Sequence, residues 1–110
     1  MTRARVLAAV LVGLGPGVPG VAAADGDWTA RKCVLYEAAF ADAVAILGKT
    51  GLRPAFLRQN DAFIASGCVT QGGVCAETPE EIALADMLTV MTMNEGMAST
   101  FVPFGCKGVD

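Results

Sequence analysis

The chain has 110 residues, 54% of them hydrophobic, with 8 Lys and Arg against 11 Asp and Glu and no histidine. That length supports one domain, and the acidic balance argues against nucleic acid or an anionic membrane surface as a partner. Without histidine, neither a Ser-His-Asp nor a Cys-His catalytic arrangement can be built.

Residues 1–24 read as a secretory signal peptide: Arg3 and Arg5, an apolar run from Val6 to Leu14, then Gly and Pro residues, and Ala22-Ala23-Ala24 before Asp25. Gly15, Pro16 and Pro19 interrupt the apolar run well short of the roughly 20 residues a membrane span needs. A twin-arginine pair and a cysteine at the cut are both absent, so general export without lipidation is expected. Removing 24 of the 110 residues leaves 86, with 6 basic against 11 acidic side chains, a net charge of −5. So short a domain buries only about 60–65% of its unfolded surface and needs covalent help.

Four cysteines, Cys33, Cys68, Cys75 and Cys106, supply it. An even number in a small exported chain reads as two disulfides. A tetrathiolate zinc site is disfavoured because its usual closely spaced cysteine pairs are missing. No thiol then remains as a nucleophile.

Asp25 to Asp27 form a polar lead-in, with Asp27 placed to cap a helix starting at Trp28. From Trp28 to Leu47, apolar Cys33, Tyr36, Phe40, Val44 and Leu47 recur at steps of three and four. The spacing predicts an amphipathic helix ended by Gly48 and Gly51. Arg53-Pro54 opens a second helix, with Phe56, Asn60, Phe63 and Ile64 on one face and Gly67 as its stop. Residues 68–75 read as a loop turning at Gly72-Gly73.

Thr78, Pro79 and Glu81 combine a hydroxyl N-cap, a proline at the first helical position and a capping-box glutamate. The expected helix runs from Pro79 toward Thr100, weakened near Gly96 and stopped before Pro103. Along it Ala85, Thr89, Thr92, Gly96 and Ser99 form a stripe of small side chains suited to close helix packing, partner binding or a homodimer. Ile82, Leu84, Met87, Leu88, Val90, Met91, Met93, Met97 and Phe101 cover most of the rest. A helix apolar over so wide an arc is central in its domain or covered by a partner. The apolar tail 101–106 is expected to be pinned back by Cys106.

The expected fold is all-α: a small three-helix bundle, up-down-up, with two disulfides, occupying residues 25–110 after removal of the signal peptide. All three cysteine connectivities are open. The pairing Cys33–Cys68 with Cys75–Cys106 is preferred, because the second bridge would tie the tail to the start of the long helix.

Few residues suggest chemistry. Asp86, with Ile82, Ala83, Thr89, Val90 and Met93 around it, could be a carboxylate of raised pKa. The favoured reading is an acid paired with Arg58 or sitting at the domain edge, since no second carboxylate completes a hydrolytic pair. Met87, Met91, Met93 and Met97 offer thioethers of the kind that select Cu(I). On a helical wheel they split into two pairs roughly 120° apart, so they read first as core or an adaptable surface. Met-based Cu(I) or small-ligand binding is therefore the alternative, and no catalytic residue, resident metal or cofactor is expected.

The spelling Cys33-x-x-Tyr36-x-x-Ala39-Phe40-x-Asp42-Ala43, with Cys75 before the Thr78 helix and the ending Phe101 to Cys106, resembles the Tai-type periplasmic immunity proteins, which protect bacteria against type VI secretion amidases. This chain departs from their pattern in three places. Ala39 replaces the usual glycine, Phe104-Gly105 separates Pro103 from Cys106, and the long helix lacks the charged middle. The resemblance implies a helical, disulfide-bonded binder of a secreted enzyme. The overall expectation is a non-enzymatic, exported, periplasmic or secreted protein-binding module.

Overall fold

The computed structural model describes residues 24–107, with side chains from Asp27 onward; the expected signal peptide, apart from Ala24, lies outside the described residues. Three helices follow in order: α1 (Ala24–Leu47), α2 (Pro54–Ala65) and α3 (Pro79–Asn94). Among the described residues there is no strand, only an isolated β-bridge between Val74 and Phe104. None of the helices is long and apolar enough to cross a membrane. Two disulfides, Cys33–Cys68 and Cys75–Cys106, pair as preferred from the sequence and suit a chain that folds in an oxidising environment.

Helix α1 begins at Ala24, ahead of the expected start, so Asp27 lies inside its first turns and is not the N-cap. Its core face is also turned slightly from the expected one. Tyr36, Ala39 and Ala43 are buried, Cys33, Phe40 and Val44 are partly so, and Leu47 is exposed. The alanines explain the shift. Of the helix pairs, α1 and α3 share the most extensive contact, and small side chains permit close packing.

The other two helices end alike. After α2, Gly67 (φ +84°) donates its N–H to Ile64 and Cys68 donates to Phe63. After α3, Gly96 (φ +98°) donates to Met93 and Met97 donates to Thr92. Both are Schellman closures, which satisfy the last carbonyls and reverse the chain at a glycine in the left-handed region. This corrects the sequence expectation for α3, which stops at Asn94 and leaves Gly96 and Ser99 beyond it. Met97, the residue after Gly96, turns into the core.

The topology also departs from up-down-up. Thr78 Oγ1 at the start of α3 donates to the carbonyl of Gly51, just before α2, and Arg53 at the start of α2 meets Glu81 in the first turn of α3. The two helices thus start at the same end and run parallel, both antiparallel to α1. Residues 67–78 make the return crossing between them. The crossing is held by Cys68 to Cys33, by Gln71 Nε2 donating to the Phe101 carbonyl, and by Cys75 N–H donating to Gln59 Oε1.

The tail descends beside this crossing. Val74 N–H donates to Pro103, Gly105 N–H to Val74 and Lys107 N–H to Gly72. At the crossing a Cβ on Gly105 would stand 3.0 Å from the Gly72 Cα, so the two backbones meet where neither carries a side chain. Phe101 caps the aromatic core, edge-on to Tyr36 and Phe63, and Phe104 stacks on Phe56. The core thus joins all three helices to the tail through Tyr36, Phe56, Phe63, Leu84, Leu88, Val74, Met97 and Phe101.

Candidate functional surface

Two polar clusters lie within the fold. The first grows from the capping box of α3. Thr78 Oγ1 accepts the Glu81 N–H, and Glu81 Oε1 accepts the N–H groups of Glu77 and Thr78. The same carboxylate also receives Arg53. Its backbone N–H lies 2.7 Å from Oε2, its Nε lies 2.9 Å from Oε2, and its Nη2 lies 2.8 Å from Oε1. A further Nη2 bond to the Cys75 carbonyl brings in the crossing segment.

Glu81 is fully buried. Burial would raise its pKa, but the hydrogen bonds from Arg53, Glu77 and Thr78 outweigh that and hold it down at about 2. A carboxylate so committed joins three segments and has no free lone pair aimed at solvent. The sequence marks Glu81 as a cap residue but gives no sign that Arg53 returns to it.

The second cluster is a buried pair. Tyr36 Oη donates to Asn60 Oδ1 at 2.6 Å, while the Asn60 Nδ2 beside it has no partner. Burial pushes the tyrosine hydroxyl above its usual range.

The residues singled out in the sequence divide by location. All four cysteines are bridged. Ala85 and Thr92 are buried and Thr89 is half-buried, whereas Gly96 and Ser99 follow the helix and are exposed. The two threonine hydroxyls bond back to their own helix, Thr89 to the Ala85 carbonyl and Thr92 to Leu88. The expected five-residue stripe is therefore cut to three positions by the end of α3, and its hydroxyls are already used.

The methionines separate as well. Met97 is core, Met87 and Met91 are partly buried against it, and Met93 is about half exposed at 49%. Asp86 stands in the open, and the ion pairs among the described residues join Arg53 to Glu77 and Glu81, so the expected Arg58 partner is not engaged with it.

Two helix faces remain apolar and uncovered by the described residues. On α1, Val34, Ala38, Ala41 and Ala45 lie in line on the solvent side at steps of four, three and four. On α3, Ile82, Val90 and Met93 are exposed by 48, 58 and 49%, within about 80° of arc, and Asp86 lies among them. Capping and core packing fix the position of the α3 face. Glu81, Leu84, Ala85, Leu88 and Thr92 take the inward side, which sends Ile82, Val90 and Met93 outward.

Comparison of the chain with protein families, curated proteins and solved structures finds no match.

Proposed function

We propose that this chain is a small exported protein-binding module that acts in the periplasm without chemistry of its own, in its sharpest form as an immunity protein covering a secreted amidase. The observation that carries the reading is the solvent face of α3, where Ile82, Val90 and Met93 stand exposed around Asp86. Single exposed apolar side chains are ordinary on a protein surface, but several branched or flexible ones on one helix face form the kind of anchor a partner covers. The α1 face is the weaker candidate because three of its four positions are alanine.

The non-enzymatic part rests on the chemistry of the chain. Histidine is absent, every thiol is bridged, and Glu81 is tied down by Arg53. Histidine, the commonest group for moving protons near neutral pH, and free thiol are thereby lacking. The amidase-immunity form rests on the resemblance in sequence alone, around Cys33, Tyr36 and Asp42, at Cys75 before the Thr78 helix and in the Phe101 to Cys106 ending.

The test is co-purification from periplasmic extract of the source bacterium, together with inhibition of any amidase encoded beside the gene. Wild type should capture a defined partner, and a Val90→Asp, Met93→Lys variant with an unchanged circular dichroism spectrum should not. Equal capture by both chains, or by neither, overturns the reading.

A further inference from the structure

A cleft of about 560 Å³ opens where the first turns of α1, the chain after α2 and the chain after α3 converge. Its walls include Trp28, Lys32, Val69, Gln71, Met97 and Phe101. The volume falls within the range of small-molecule pockets, and the walls mix polar and apolar surface in similar measure.

Its charge is distinctive for this chain. The protein is acidic overall, yet among the described residues lining the cleft there is one cation and no carboxylate. Lys32 Nζ sits over the Phe101 ring, 5.3 Å from its centroid, and takes part in none of the ion pairs found among the described residues. A face-on aromatic ring attracts the ammonium but does not neutralise it. An anion arriving from solvent would meet an unpaired charge at an apolar wall.

The walls are fixed by the fold. Gln71 is held by its bond to the Phe101 carbonyl, Cys68 by its bridge to Cys33, and Met97 by the Schellman closure of α3. Trp28 is 37% exposed at the mouth, with its ring edge 3.8 Å from the position a Cβ would occupy on Gly96. Trp28 and the exposed Val69 offer apolar surface to a flat body above the buried Met97 and Phe101.

We propose that this cleft binds small amphipathic organic anions, a carboxylate or sulfonate on an aromatic or compact aliphatic body, with Lys32 receiving the charge and Trp28 and Val69 receiving the body. The site is separate from the α3 face and stands or falls independently of the protein-binding reading.

Trp28 is the only tryptophan in the chain and lines the cleft, so it reports on occupancy directly. The probe is anilinonaphthalene sulfonate, titrated into the full disulfide-bonded chain, with energy transfer from Trp28 to the dye as the signal. Its uncharged analogue, phenylnaphthylamine, is the comparison. Saturable binding of one dye per chain is expected. Lys32→Gln should weaken the sulfonate by about tenfold, the scale of one charged hydrogen bond, and leave the uncharged dye unchanged. Lys32→Arg should restore the sulfonate, and Lys49→Gln, at the far end of α1, should alter neither dye. Non-saturable binding overturns the proposal, as does equal weakening by Lys32→Gln and Lys49→Gln or loss of both dyes in Lys32→Gln. Circular dichroism of each variant separates a lost site from a lost fold.

Discussion

The Glu81 carboxylate accepts both the backbone N–H and the guanidinium of Arg53, so a side chain in the first turn of α3 fixes the first residue before α2. One buried acid thereby sets the parallel start of two helices. Its folded pKa of about 2 lies below the ordinary 4.5. For a depressed carboxylate the stabilisation is complete above the unfolded value and disappears as pH falls through the folded one. Urea unfolding of the wild type should therefore show stability declining between pH 4.5 and about 2. Glu81→Gln should flatten that limb and lower neutral-pH stability by about 2 kcal/mol, the scale of a lost charged hydrogen bond. An unchanged acid limb in the variant would remove Glu81 as its cause.

Tyr36 should behave oppositely with pH. Burial raises its hydroxyl above the ordinary 10.0, so its contribution is complete below pH 10.0 and is lost as pH rises further. It is the only tyrosine in the chain, so tyrosinate absorbance reports on this residue alone. Ionisation should coincide with alkaline unfolding followed by circular dichroism. A normal titration in the folded protein would contradict the buried hydrogen bond.

The same pair allows a packing test. Tyr36→Phe leaves Asn60 Oδ1 unpaired beside an Nδ2 that already lacks a partner. The single change should cost about 1–3 kcal/mol, and adding Asn60→Leu should return part of it, because removing both polar groups is less costly than orphaning one. A double variant no more stable than Tyr36→Phe would contradict this.

Gly96 has φ +98°, and a Cβ there would meet only Trp28 at ordinary contact distance. The constraint is the backbone angle. Gly96→Ala and Gly96→Leu should both lose about 1–2 kcal/mol, while Met93→Leu, on the exposed face, stays near neutral. A harmless Gly96→Ala in thermal unfolding would show that the Schellman turn is not held by its glycine.

The two bridges close similar lengths of chain, with sequence separations of 35 and 31. On loop entropy alone, replacing either pair with serine should cost about 4 kcal/mol. Comparable losses are expected from Cys33→Ser with Cys68→Ser and from Cys75→Ser with Cys106→Ser, with the pairing itself read by mass spectrometry of an unreduced digest. A negligible effect of the second double replacement would mean that the tail docks without its bridge.

Much of the local structure was legible because its causes are local. Thr78, Pro79 and Glu81 specify a helix start whatever surrounds them, and the capping box is present as expected. The Phe56, Asn60, Phe63 and Ile64 face of α2 follows from helical spacing. The number of bridges follows from composition. The end of α3 was missed because an apolar run continues through Met97 and Phe101, and the periodicity could not show that both enter the core from beyond the helix.

The amino-acid order by itself determined three helices, the starts of α2 and α3, the glycine stops of α1 and α2 and a four-cysteine framework, since each depends on backbone propensity within a few residues. Only the tertiary structure decided that α2 and α3 run parallel, because that choice rests on Arg53 reaching Glu81 across 28 residues and on the crossing held to the tail by Val74, Gly72 and Gly105. It also decided which apolar residues remain outside: core packing takes Leu84 and Leu88 and leaves Ile82, Val90 and Met93 to solvent.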